Sequence, residues 1–128
     1  MRLLLDTHAL LWAMQNKSQL SRKARTAIES PANEIFVSVV SIWEIATKVR
    51  IRKLDRPGNL LEDPRRTLVD MGFRDLQVKL SHASLGGSLV NPHKDPFDRL
   101  LAAQALLENL TLVSIDTEFD SFPVPRLW

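Results

Sequence analysis

Leu3-Leu4-Leu5-Asp6-Thr7-His8-Ala9-Leu10-Leu11-Trp12 opens the chain with an apolar run that stops at an acid. A short run with no polar alternation, here Arg2 to Leu5, fits a strand buried on both faces of a parallel sheet. Asp6 then stands at the carboxyl end of that strand. Thr111-Leu112-Val113-Ser114-Ile115 repeats the pattern and ends on Asp116. Ile35-Phe36-Val37 and Leu76-Gln77-Val78 are two further strand candidates between them.

Helical stretches separate these runs. Ala9, Leu10, Trp12, Ala13 and Met14 suggest one helix, and Ser21 caps a second that reaches Glu29 before Ser30-Pro31. Ser38 to Arg52 carries Ile42, Ile45, Ala46 and Val49 at helical spacing, and Ser41-Ile42-Trp43-Glu44 matches the capping-box pattern. After the turn Arg56-Pro57-Gly58-Asn59, the residues Leu60, Leu61, Leu68, Val69 and Met71 support another helix. Ser81 is read as the cap of a short helix broken by Gly86-Gly87. Asp95-Pro96-Phe97-Asp98 has an N-cap acid, proline at the first helical position and an acid at the third, so a helix should run to about Glu108. Strands alternating with helices imply an α/β fold whose ligands bind at the carboxyl ends of the strands.

With 128 residues, 45% hydrophobic and 25% charged, one globular domain spanning 1–128 is expected. Zero cysteines exclude a disulfide scaffold, a thiolate zinc site and a cysteine nucleophile. His8, His82 and His93 form no H-x-x-x-H pair and read as surface residues or neighbours of a site. Asp6 and His8 interrupt the leucine run too early for a signal peptide or membrane span, so the expectation is a cytoplasmic protein with no membrane partner. The net charge of +2 is too small to prove a nucleic-acid partner. Bases nevertheless crowd Arg22 to Arg25, Lys48 to Arg56 and Arg65 to Arg66, consistent with an acidic centre in a basic surround.

Asp6 and Asp116 end strands, while Glu44 and Asp98 lie in the first turns of helices leaving the same edge of the sheet. All four can point into one cleft. Four partly desolvated carboxylates would repel by several kcal/mol unless protonated, matched by bases or neutralised by a cation. A hard dication with oxygen ligands, Mg²⁺ or Mn²⁺, is the natural counter-charge. Such an ion suits phosphoester hydrolysis, with the surrounding Lys and Arg holding a phosphate backbone.

Each residue also has a simpler reading. Asp6 could only cap the next helix, and Glu44 could only pair with Lys48 one turn on. Asp98 could answer the helix dipole, and Asp116 could cap the turn at Thr117-Glu118. Thr7 is more ordinarily a cap than a catalytic hydroxyl, and Trp12 and Trp43 are more ordinarily part-buried core than a partner groove or dimer face.

Four segments in order resemble the motifs of PIN-domain ribonucleases, most closely the VapC-type toxins. They are Leu3 to Trp12, Val39-Val40-Ser41-Ile42-Trp43-Glu44-Ile45-Ala46, His93-Lys94-Asp95-Pro96-Phe97-Asp98-Arg99-Leu100-Leu101-Ala102-Ala103-Gln104-Ala105, and Leu112-Val113-Ser114-Ile115-Asp116, followed by the ending Val124 to Trp128. The resemblance implies a three-layer α/β/α fold around a mostly parallel sheet of four to five strands. It implies that Asp6, Glu44 and Asp98 hold Mg²⁺ (or Mn²⁺), with Asp116 completing the site or holding a second ion. It implies RNA cleavage by metal-activated water, neutralisation by a cognate antitoxin, and a homodimer. Asp95 stands one turn before Asp98, and either could be the third ligand. Asp98 is favoured because it directly precedes the apolar helix, which leaves Asp95 and Thr7 as accessory groups.

Two other functions compete. A receiver-type phospho-acceptor domain needs adjacent acids after its first strand, whereas only Asp6 precedes Thr7 here. A catalytically silent PIN-like module that binds RNA or protein is the other alternative, and only an assay for RNA cleavage separates it from the nuclease.

Overall fold

A computed structural model describes all residues from Met1 to Trp128. Its strands are β1 (Arg2–Leu5), β2 (Glu34–Ser38), β3 (Arg74–Leu76), β4 (Thr111–Val113) and β5 (Arg126–Leu127). Its helices are α1 (Thr7–Met14), α2 (Arg22–Glu29), α3 (Val39–Arg50), α4 (Pro64–Asp70), α5 (Leu80–Ser88) and α6 (Pro96–Glu108), and a 3₁₀ turn spans Thr117–Ser121. The sheet order is β3-β2-β1-β4-β5, and every pairing is parallel.

β1 lies at the centre because both of its faces are apolar. Leu3 and Leu5 enter one core with residues of α1, α2, α3 and α4, while Leu4 enters the other with Leu101, Ala102 and Ala105 of α6. Leu3, Leu4 and Leu5 have no exposed surface, so the leucine triplet is the middle layer of a three-layer sandwich. α5 covers α6. Gly86 allows the two helices to approach closely, because a Cβ there would meet Arg99 O and a Leu100 methyl at 3.4 Å. No helix is long and apolar enough to cross a membrane.

Several local expectations shift. α3 starts at Val39, capped by the Ser38 hydroxyl on Val40 N–H, so Ser41 and Glu44 are buried inside the helix and form no capping box. The helix expected from Leu60 begins only at Pro64, where Asp63 caps Arg66 N–H and proline occupies the first turn. The third strand is Arg74–Leu76, fixed by its register against Phe36 to Ser38. The Gln77 carbonyl instead accepts from Gln104 Nε2. α5 begins one residue before Ser81 and continues through Gly86-Gly87. β4 ends at Val113, leaving Ser114 and Ile115 in the loop, and β5 supplies a fifth strand.

His82 is fully buried, contrary to the surface reading. Its Nδ1 accepts the Lys79 backbone N–H at 2.9 Å, so its Nε2–H donates to Glu108 Oε1 at 2.9 Å. Lys79 Nζ donates to the same oxygen and, together with His82, holds the Glu108 carboxyl below its usual range. Glu108→Ala should therefore cost about 1–2 kcal/mol of stability, and Glu108→Gln less, because only alanine leaves a buried N–H unpaired. A depressed carboxylate stabilises above its unfolded value and loses that contribution as pH falls through the folded one. In urea unfolding the gap between wild type and Glu108→Ala should hold steady at neutral pH and narrow below the ordinary glutamate value of 4.5.

Candidate functional site

The chain runs from β1 to β2 and β3 on one side, then returns to place β4 on the other side of β1. That reversal opens a crevice at the carboxyl ends of β1 and β4. Asp6 leaves β1 there, and Asp116 follows β4 through Ser114-Ile115. Glu44 comes from α3, which begins where β2 ends, and Asp98 from the first turn of α6. A cavity of about 220 Å³ is lined by Asp6, Thr7, Glu44, Asp98 and Asp116, together with Asp95, Lys48, His8, Ile115 and Phe119. All four sequence-predicted carboxylates and both accessory residues thus share one cleft.

Several of the simpler readings hold as well. Asp6 caps α1 by accepting Ala9 N–H at 2.8 Å, and Asp116 caps the 3₁₀ turn by accepting Glu118 N–H at 2.9 Å. Lys48 donates to Glu44 Oε2 at 2.6 Å. Each cap bond engages a single oxygen, Oδ1, of its aspartate, so a cap and a ligand are compatible roles. Asp95 differs: its Oδ1 takes both Phe97 and Asp98 N–H, and the residue is exposed.

Burial is what makes the cleft electrostatically unusual. The Asp6 carboxyl is pushed up by desolvation, against a hydrogen bond from Ser114 and the Ala9 N–H, with the Glu44 charge adding to the rise. Asp98 is raised to about 6, first by burial and then by the charges of Asp95 and Glu44, against the pull of His93. His93 is raised in turn, because Nε2 stands 2.8 Å from Asp98 Oδ2 and Nδ1 stands 3.0 Å from Glu118 Oε2. The Thr7 hydroxyl donates to Glu44 Oε1 at 2.7 Å and lies 3.1 Å from Ser41 Oγ.

No three acids or histidines converge closely enough to form a ready coordination sphere. Glu44 instead pairs with Lys48, and Asp98 with His93.

Sequence reasoning missed His93 as a partner of Asp98, Ser114 as a partner of Asp6, and Arg99. The Arg99 guanidinium donates to the carbonyls of Gly86 at 2.8 Å, Asn91 at 3.0 Å, His93 at 2.8 Å and Leu89, which fixes the segment that delivers His93. His93 sits five residues before Asp98 on a loop, and no helical or strand spacing signals that contact. Trp43 is also unlike its expected core role: it is 63% exposed and packs edge-on against Phe97 at 5.3 Å.

A charged carboxylate held above its unfolded value destabilises the native state as pH rises through the folded value. Asp98→Asn, which keeps a hydrogen-bond partner for His93, should stabilise the metal-free protein at pH 8 by about 1 kcal/mol. Urea unfolding in EDTA should show that gain disappear as pH falls from 8 to 4, where wild-type Asp98 is protonated in the folded state.

No curated protein matches the sequence. Among solved structures, VapBC2 from Rickettsia felis bound to a promoter DNA fragment aligns with a TM-score of 0.70 at 18% identity, covering 98% of this chain and 97% of that one. VapBC-1 from nontypeable Haemophilus influenzae aligns at 0.67 and 18% identity, covering 98% and 96%. FitAcB from Neisseria gonorrhoeae aligns at 0.65 and 18% identity, covering 97% and 95%. These likenesses concern the fold. The PIN domain family matches residues 3–125, nearly the whole length, and the chain belongs to that family.

Proposed function

We propose that this chain is a divalent-metal-dependent endoribonuclease, the toxin component of a toxin-antitoxin pair of the VapC type. The observation that carries this reading is the gathering of Asp6, Glu44, Asp98 and Asp116, from four separate elements, on the wall of one cavity. Membership of the PIN family supports a nuclease, and the solved neighbours are toxin-antitoxin complexes.

The donor chemistry fits a hard dication. The candidate ligands offer only carboxylate oxygens, and burial first, then the Glu44 charge (with Asp95 for Asp98), holds Asp6 and Asp98 above their normal range. Asp6, Glu44 and Asp98 would hold Mg²⁺ or Mn²⁺, with Asp116 beside them. Asp98 is preferred to Asp95 because it is part-buried beside His93 and Glu44, whereas Asp95 is exposed. When bound, the ion supplies Lewis acidity toward a phosphoryl oxygen and neutralises developing negative charge. Thr7 orients Glu44 through its hydroxyl, the α1 cap fixes Asp6, and His93 orients Asp98.

An antitoxin has a place to dock. Val39, Ile42, Trp43, Ala46, Leu68 and Val69 line a mainly apolar groove of about 520 Å³ between α3 and α4. Trp43 lines this groove and packs against Phe97, the residue before Asp98, so an apolar segment ending in a basic side chain suits the groove and the acids. A second copy of the chain and a cytoplasmic setting complete the proposal.

The alternative is a silent PIN-like module that binds RNA or protein, in which Lys48 and His93 stay paired with Glu44 and Asp98. Purified protein incubated with total RNA separates the two. Fragments should form with Mg²⁺, vanish with EDTA, and fall at least about a hundredfold in rate for Asp6→Asn. Cleavage that ignores both the metal and the substitution, or no cleavage at all, would remove the nuclease reading.

A further inference from the structure

Lys48 is the only lysine or arginine on the wall of the acid-lined cavity. Most i, i+4 ion pairs lie on a solvated helix face with both partners exposed. This one is different, because the Glu44 side chain is only 11% exposed while Lys48 keeps 36% of its side chain open. Glu44 is also fixed from its other side, where Oε1 takes the Thr7 hydroxyl. The carboxylate is thus held from both sides and buried, whereas the ammonium is the more exposed partner. The basic run Arg50, Arg52, Lys53 and Arg56 lies outside the cavity wall, so none of it replaces Lys48 there.

We propose that Lys48 is a substrate-contacting cation of this cleft, which balances Glu44 while no dication is bound and turns to a phosphate oxygen of RNA once a dication takes Glu44. The inference deepens the ribonuclease reading and rests on it. Two positive centres cannot share Glu44 Oε2 without strong repulsion, so an arriving dication displaces the ammonium. The flexible four-carbon stem lets the ammonium move while its base on α3 stays fixed. A compact ammonium at the mouth of an otherwise anionic cleft is the group suited to hold a phosphate oxygen that the acids would repel.

The test compares wild type with Lys48→Met, which keeps the apolar stem, and Lys48→Arg, which keeps the charge. Mn²⁺ affinity is read by calorimetry without RNA, and kcat/KM is read on a short RNA at saturating Mn²⁺. Lys48→Met should bind Mn²⁺ at least about threefold more tightly, because a competing charge is gone, yet cleave RNA at least about tenfold more slowly. Lys48→Arg should return both values to within about threefold of wild type. A helix pair with no further role would shift only the melting temperature. The proposal is overturned if Lys48→Met binds Mn²⁺ no more tightly than wild type, or cleaves RNA as fast as an active wild type. A wild type that binds Mn²⁺ but cuts no RNA overturns the ribonuclease reading itself, and the substrate role of Lys48 with it.

Discussion

Negative charge held out of water at the end of β1 is the constraint that the rest of the molecule serves. Asp6 is 7% exposed and Glu44 8%, and burial and the Glu44 charge both raise the cost of ionising Asp6. A carboxylate in that setting must be answered by hydrogen bonds, by a base or by a cation. The chain uses the first two in the metal-free state. Ala9 N–H and Ser114 meet Asp6, Thr7 and Lys48 meet Glu44, and His93 meets Asp98.

The fold makes this possible at modest expense elsewhere. The leucine triplet of β1 is sealed between two cores, which anchors Asp6 at the crevice between the ends of β1 and β4. Helix starts do the positioning: α1 is capped by Asp6, and α6 by Asp95 with proline behind it. Groups that look merely structural therefore aim the carboxylates, and capping and ligation need not be rival explanations for one residue. Arg99 extends the same economy to a loop, since its bonds to four carbonyls leave His93 little freedom.

Trp43 lines the apolar groove and packs against Phe97, the residue before Asp98. A large exposed aromatic residue between an apolar surface and an anionic one gives a partner both an anchor and an electrostatic target.

The sequence alone determined the layers, because an unalternating leucine run requires cover on both faces, and it determined the helix starts at Ser21 and Asp95, because caps are local chemistry. It also pointed to Asp6 and Asp116, since an acid after an apolar strand is a pattern visible in one dimension, and to Glu44 and Asp98 as acids near the starts of helices that follow strands or caps. What it could not determine was pairing. The register of β3 against Phe36 to Ser38, the passage of α5 through Gly86-Gly87, and the burial of Ser41 inside α3 all depend on residues distant along the chain. The same holds for His93 on Asp98 and Glu118. Only the tertiary structure decided those contacts, because side-chain electrostatics acts through space over a few ångströms and bears no relation to spacing along the chain.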